Sequence, residues 1–244
     1  MVLVNPYDGF SKVFDQVVSK VKYDQWEEWV RLVWLKHNLN PQSLLDLACG
    51  TGNNSIRFAK SGLEVFGVDC SSLMLNEARK KNSERRYNLL FLESSFLNFN
   101  LPKKVDTAIC LDFSTNYLLC AEDFVLFLSR VYDSLNHGGI FIFDFKPTKM
   151  FKKKEKHLLK DDFTYDWACD INNFPFVDIK IKVALKNGEV FEENHRERGY
   201  TIEEMNSIVA QSKFKLLEVY DNCKLIEDYS SGEHVLIQFV LKKE

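Results

Sequence analysis

The chain has 244 residues, 45% of them hydrophobic and 27% charged, which supports a packed core and excludes a disordered chain. Thirty-five acidic against 32 basic side chains leave a net charge of −3, so no global basic footprint points to nucleic acid or an anionic membrane. No apolar run is long enough for a transmembrane helix, and the N-terminus through Pro6 lacks the pattern of a signal peptide. The six cysteines show neither C-x-x-C nor zinc-finger spacing, so we expect reduced thiols in a cytoplasmic protein and no metal site.

Trp26, Trp29, Val30, Val33 and Trp34 fall at helical spacing over 24–37, before the Asn40-Pro41 stop. A strand at 43–48 runs into a glycine-bearing loop at 49–52, followed by a helix at about 53–61. A strand at 64–68, a helix from Ser71 or Ser72 to Lys81, and strands at 88–92 and 105–111 come next. The helix near 122–135 carries Phe124, Phe127, Leu128, Val131 and Leu135 on one stripe. Its stop is Asn136-His137-Gly138-Gly139, where glycine is expected to supply a left-handed cap before a strand at 140–145. This β-α-β series implies a parallel sheet with helices on both faces.

The pattern changes after Pro147. The charge-rich stretch 149–160 reads as a solvated loop or helix face. Phe163, Tyr165, Trp167, Cys169 and Ile171 alternate, as do Ile179, Ile181, Val183 and Leu185, which predicts antiparallel strands. Asn187-Gly188 predicts a two-residue type I′ turn. That turn pairs Leu185 with Val190 and Ile179 with Arg196, puts Arg196 on the apolar face with Glu192 and Asn194, and sets His195 opposite Lys180 on the polar face. Thr201 and Glu204 form a capping-box pattern, and strands at 214–220 and 235–241 close the chain.

Asp46-Leu47-Ala48-Cys49-Gly50-Thr51-Gly52 follows a strand and opens a helix, where small residues let a ligand approach the backbone. A dinucleotide site would continue G-x-G-x-x-G with pyrophosphate on the loop, but Ser55 stands at the third glycine. Asp46 would repel a pyrophosphate, whereas it suits a ligand bearing an ammonium and a sulfonium. Asp69, ending the second strand of the series, can accept hydrogen bonds from ribose hydroxyls, a feature shared with NAD enzymes.

Leu45-Asp46-Leu47-Ala48-Cys49-Gly50-Thr51-Gly52 and Gly67-Val68-Asp69-Cys70-Ser71-Ser72-Leu73-Met74 resemble the first two motifs of class I S-adenosylmethionine-dependent methyltransferases. The likeness covers about residues 40–146 and includes Leu135-Asn136-His137-Gly138-Gly139-Ile140. Tyr7 to Trp26 and His195-Arg196-Glu197-Arg198-Gly199-Tyr200-Thr201 look similar to a bacterial small-molecule subgroup that includes amino-sugar N-methyltransferases. The resemblance implies an α/β fold: a Rossmann-like, doubly wound, mostly parallel seven-stranded sheet with an antiparallel β insertion. It also implies one domain over 1–244: an N-terminal helical lid at 1–40, a cofactor-binding core at 41–147, the insertion at 160–199 and core completion at 200–244.

In the implied cofactor site, Asp46 and the loop of Ala48, Cys49, Gly50 and Gly52 surround the methionine part of S-adenosylmethionine. Asp69 holds the ribose, Cys70 and Met74 sit beside the adenine, and Ser95 replaces the family's usual aspartate there, next to Phe96. Cys110 and Leu111 floor the site. The expected acceptor is a soluble small molecule, with no nucleic acid and no membrane as partner. Asp112, Asn116 and Tyr117, after the fourth strand, are acceptor-site candidates, with loop capping as the alternative. Arg196 is a further candidate from the insertion, whose apolar face is expected to cover the cleft mouth. Tyr7, Phe14, Tyr23 and Trp26 form either an aromatic lid or a helix stapled to the core. The competing functions are an NAD-dependent oxidoreductase and a non-catalytic S-adenosylmethionine-binding protein.

Overall fold

The computed structural model describes residues 2–3, 6–83, 87–227 and 234–244; Met1, Val4 and Asn5 of the N-terminal reading lie outside them. The chain opens with β1 (Val2–Leu3), a 3-10 turn (Phe10–Lys12), α1 (Phe14–Val17) and α2 (Tyr23–Lys36). β2 (Ser43–Leu47), α3 (Asn53–Lys60), β3 (Glu64–Asp69), α4 (Ser72–Ser83) and β4 (Leu89–Glu93) follow. Then come β5 (Val105–Cys110), a 3-10 turn (Ser114–Tyr117), α5 (Ala121–Ser134) and β6 (Leu135–Phe145). The second half holds β7 (Lys154–Leu159), β8 (Phe163–Asp170), β9 (Phe176–Leu185) and β10 (Val190–Arg198). It ends with α6 (Ile202–Ala210), β11 (Lys215–Asp221), β12 (Lys224–Leu225) and β13 (Ile237–Lys242).

The main sheet has the order β12-β11-β13-β6-β5-β2-β3-β4, eight strands among the described residues rather than seven. The extra member is β12, a two-residue strand that pairs only with the end of β11. Neighbours from β4 through β6 are parallel, and β13 runs antiparallel between β6 and β11. β2 is buried at every position, as expected for a parallel strand covered on both faces. One face packs Trp29, Val30, Val33 and Trp34 of α2 and Phe58 of α3 against Leu44, Val65, Ile109 and Ile142. The Trp34 indole N–H is not stranded there, because it donates to Thr107 Oγ1 at 3.1 Å. The other face packs Phe124, Phe127 and Val131 of α5 and Met205 and Ile208 of α6 on Ala108, Phe141, Phe143 and Phe239. The chain runs outward from β2 to β4 and then crosses back to β5, so the order reverses between β2 and β5; ligand crevices form outside the carboxyl ends of strands at such a point.

β10, β9, β8 and β7 form a second, antiparallel sheet, with β1 added parallel to β10. Its apolar face, with Tyr165, Val177, Ile179, Ile181 and Val183, packs on Phe10, Val13 and Phe151. The insertion therefore covers the N-terminal segment, and that segment intervenes between the sheet and the cleft. The stretch 149–160 is largely the edge strand β7, whose outward lysines discourage pairing with a further strand. No helix among the described residues is long and apolar enough to cross a membrane.

Two local expectations are corrected. Asn136–Gly139 does not cap α5; these residues begin β6, where the register against β5 shifts between Val105 and Thr107. Gly138, at φ +80°, serves that irregularity, and its N–H donates to the Lys243 carbonyl at 2.9 Å. The β9–β10 hairpin is not a two-residue turn. Gly188 has φ +89°, whereas Asn187 is not left-handed, and the Gly188 N–H donates to Leu185 O at 3.0 Å. This is the three-residue turn with a glycine bulge. It pairs Val190 with Ala184 and His195 with Ile179, one residue away from the expected register. A slip of one exchanges the faces, so Glu193 and His195 point inward and Arg196 points out.

Candidate active site

The β2–α3 loop is built on left-handed residues: Ala48 at φ +53°, Gly50 at +54° and Gly52 at +78°. Gly52 is needed twice over, because a Cβ there would also lie 2.9 Å from the Phe91 ring. Below the loop Asp46 is only 2% exposed and accepts a 2.5 Å hydrogen bond from Ser55 Oγ. Burial, with the Asp69 charge adding to it, pushes the Asp46 carboxyl up to about 7. Ser55, which breaks the dinucleotide fingerprint, is thus the partner of the acid that precedes the loop.

Asp69 sits where β3 ends. Its Oδ2 accepts from the Gly50 N–H at 2.8 Å and its Oδ1 from the Ser71 N–H at 2.9 Å, so one carboxylate ties the two loops together. Burial raises its pKa, opposed by these backbone donors. Over the loops lies a cavity of about 580 Å³, within the roughly 300–1,000 Å³ range of small-molecule sites. Of the sequence-predicted cofactor positions, Ala48, Cys49, Gly50, Asp69, Cys70, Met74, Ser95, Phe96 and Leu111 line it. Asp46, Gly52 and Cys110 lie behind its wall, Cys110 with no exposed surface.

At the other end, Asp112 and Phe113 are consecutive non-glycine residues at φ +69° and +63°. Such a pair is strained, and Asp144 at the end of β6 holds it by accepting both N–H groups, at 3.0 and 2.7 Å. Burial lifts Asp144 to about 8 and Asp112 to about 6. Asp112, Ser114 and Tyr117 line the cavity. Asn116 does not: it is fully buried, donates to the Lys146 and Arg198 carbonyls, accepts from the Lys146 N–H, and so joins the two sheets. Arg196 is exposed on the outer face and bidentate to Asp178 at 2.8 and 3.1 Å.

Of the expected aromatic lid, Tyr7, Phe14 and Tyr23 reach the cavity wall, while Trp26 packs with the α2 core. Asp8, Asn53, Asn54 and Glu93 also line the cavity and carry no signal in the sequence motifs. Asn53 and Asn54 come from the first turn of α3, and Glu93 from the end of β4. The Asn54 Oδ1 is buried with no hydrogen-bond partner among the described residues. Behind Tyr117, its hydroxyl meets His195 Nδ1 at 2.8 Å and the Tyr7 hydroxyl at 2.9 Å, and His195 Nε2 meets Glu193 Oε2 at 3.0 Å. The strict alternation of β10 could have found Glu193 and His195, had the hairpin register been known.

Residues 44–139 match the family described as "Methyltransferase domain". The Bacillus subtilis (strain 168) protein YqeM, which carries a methyltransferase name, is 32% identical over 87% of this chain and 88% of its own length. An S-adenosylmethionine-dependent methyltransferase from Clostridium acetobutylicum superposes with a TM-score of 0.84 at 25% identity, covering 97% of this chain and 98% of that one. The sugar N-methyltransferase KedS8 from Streptoalloteichus shares the fold, with a TM-score of 0.74 at 17% identity over 95% and 92% of the two chains.

Proposed function

This chain belongs to the S-adenosylmethionine-dependent methyltransferases, and from that premise we propose that it methylates the nitrogen of a small amine. The cofactor fits what the cavity offers. Gly50 and Gly52 keep the loop bare of side chains, and the unpartnered Asn54 Oδ1 is an acceptor that a ligand ammonium would satisfy. Ala48, Cys49, Gly50 and Asn54 would hold the methionine part, Asp69 the ribose, and Cys70, Met74, Ser95 and Phe96 the adenine, with Leu111 as floor. Asp46, Gly52 and Cys110 would support this from behind. When bound, S-adenosylmethionine supplies a methyl carbon made electrophilic by its sulfonium.

The observation that carries the acceptor reading is charge. Among the described residues that line the cavity, Asp8, Asp69, Glu93 and Asp112 bear carboxyl groups and none bears a basic side chain. A unit charge about 6 Å from a carboxylate in a half-buried site gains roughly 3 kcal/mol at an effective dielectric of about 20. A cationic donor and a cationic amine both gain from this, while an anionic acceptor meets repulsion without a countercharge. Asp112, Ser114, Tyr117 and Tyr7 would face the acceptor. The protein's task is then to align nitrogen and methyl carbon and to exclude water. The sugar N-methyltransferase title of KedS8 agrees with this reading. Residues 1–244 act in it as one unit: the N-terminal segment and the core line the cavity, and the insertion packs on the N-terminal segment from behind.

The test is transfer of label from methyl-labelled S-adenosylmethionine to matched probes: D-glucosamine against D-glucose, ethanolamine against ethylene glycol, and succinate as an anion. Label on the amines supports the reading. Label confined to hydroxyl or carboxylate probes overturns it.

A further inference from the structure

We propose that the ammonium proton of the acceptor leaves through Tyr7 and Tyr117 to His195, and that Glu193 holds the resulting imidazolium; this rests on the amine reading above. The chain of contacts is continuous: Tyr7 hydroxyl to Tyr117 hydroxyl at 2.9 Å, Tyr117 hydroxyl to His195 Nδ1 at 2.8 Å, and His195 Nε2 to Glu193 Oε2 at 3.0 Å. One end opens on the cavity, which Tyr7 and Tyr117 line, and the other is buried, with Glu193 2% and His195 3% exposed.

The hydrogen-bond directions follow from Glu193. Its Oε1 accepts from the Phe10 N–H at 2.7 Å and its Oε2 from the Tyr7 N–H at 2.8 Å, so both oxygens are engaged as acceptors of backbone donors. His195 Nε2 must then carry the hydrogen, which leaves Nδ1 of the neutral ring as an acceptor. Tyr117 donates to Nδ1, and its oxygen accepts from the Tyr7 O–H. The lone pairs of Tyr7 oxygen remain for the ligand, where they can accept from an N–H of the acceptor. Tyr7 is placed there by a left-handed backbone at φ +67°, which a bulky residue adopts only when its surroundings hold it, here through its own N–H on Glu193.

The other charged and titratable groups facing the chain support a cation at its buried end. Among the described residues they are Glu197, Asp112 and Asp69 toward Tyr7, Glu197 and Glu193 toward Tyr117, and Tyr165 from β8 against Glu193. Glu197, which burial lifts to about 6, feels the charges of Lys146 and His195, which oppose that rise. Burial pushes the Tyr7 and Tyr117 phenols far up, so neither persists as a tyrosinate. The three protons therefore shift together. The acceptor N–H proton passes to Tyr7 oxygen, the Tyr7 proton to Tyr117 oxygen, and the Tyr117 proton to Nδ1. The freed nitrogen lone pair forms the new N–C bond, and the breaking C–S pair stays on sulfur, which becomes a neutral thioether. The products are the methylated ammonium, the thioether and imidazolium, which balances the ammonium, sulfonium and neutral imidazole at the start. The imidazolium loses its proton along the same path once product leaves.

The experiment uses the full chain and the variants His195→Gln, Tyr117→Phe and Tyr7→Phe. For the parent and each variant, S-adenosylhomocysteine affinity is read by calorimetry and the pH profile of kcat/KM with D-glucosamine or ethanolamine is recorded. His195→Gln should keep its affinity for the thioether and lose about 10²- to 10⁴-fold in turnover near neutral pH. Its rate should then climb about tenfold per pH unit toward the amine's own pKa, because only amine that arrives deprotonated can react. Tyr117→Phe and Tyr7→Phe, which break the chain at other links, should show the same climb. A loss equal at all pH values, or a profile identical to the parent's, overturns the proposal. Nitrogen NMR of His195 in the S-adenosylhomocysteine complex needs no acceptor and decides the matter if neither amine reacts. A neutral ring protonated at Nε2, with an Nδ1 signal that moves in Tyr117→Phe, supports the chain; a ring protonated at Nδ1, or an imidazolium at every pH, overturns it. Failure of the parent to bind S-adenosylhomocysteine would instead strike the methyltransferase reading itself.

Discussion

Replacing Asp69 by alanine removes the acceptor of two backbone N–H groups at once, Gly50 at 2.8 Å and Ser71 at 2.9 Å. Leaving a buried donor without a partner costs about 1–3 kcal/mol. Both groups stand at the cavity wall, where water reaches them, so the lower end applies and the pair costs about 2–3 kcal/mol. In a chain of this size that lowers Tm by roughly 4–12 °C. Cofactor affinity should fall further than stability, because the ribose contact goes as well. A hydrogen bond to a charged group contributes about 1.5–3 kcal/mol, which is roughly a 10- to 150-fold weaker Kd. Asp69→Asn keeps one carbonyl oxygen but turns an amide N–H toward the other donor, so its loss falls between parent and alanine. Scanning calorimetry and titration with S-adenosylhomocysteine measure the two effects separately. Unchanged Tm and unchanged affinity in Asp69→Ala would deny Asp69 both roles. Lower Tm with unchanged affinity would leave Asp69 as a tie between loops and remove the ribose contact.

Gly52→Ala should lose about 2–5 kcal/mol of stability, from roughly 1–2 for the left-handed backbone and 1–3 for overpacking against Phe91; a Phe91→Ala second change, read by thermal melts, should recover the packing part alone. Asp46 has a folded pKa raised from 3.8 to about 7, so its stabilising proton is fully present below the unfolded value and is lost as pH rises through about 7. Asp46→Asn should therefore stabilise the chain at about pH 8, by an upper bound of about 4 kcal/mol read from thermal melts, and change little at about pH 4; a gain at acid pH alone would contradict the sign. Arg196→Ala, which severs an exposed pair with Asp178, should leave melting, cofactor affinity and turnover unchanged, and a fall in turnover would return Arg196 to the acceptor site.

The cofactor half of the cavity was legible because its geometry is local. A parallel strand, a loop of small residues and a helix start are consecutive in sequence, and Asp69 ends the neighbouring strand. Even there the sequence did not separate wall from support: Asp46 is buried on Ser55, Gly52 lies against Phe91 and Cys110 is wholly buried, contacts that only the packed structure shows. The acceptor half depends on contacts between distant segments. Asp144 and the pair Asp112 and Phe113 meet only when β5 and β6 lie side by side. Arg196 and His195 exchanged roles because Lys186-Asn187-Gly188 closes as three residues with a bulge rather than as a two-residue turn. The hydrophobic alternation of β9 fits either register of the polar β10, and what decides is the N-terminal segment, whose Phe10 and Tyr7 N–H groups bond an inward Glu193. That requirement spans the length of the chain and leaves no local pattern.

A crystal structure of the S-adenosylhomocysteine complex would show whether the cavity is the cofactor site. The nucleoside should lie within the cavity, with its ribose hydroxyls on Asp69 and its sulfur facing the end formed by Tyr7, Asp112 and Tyr117. Density for the ligand elsewhere, or a ribose that does not touch Asp69 with the sulfur turned away from Tyr7, would contradict it.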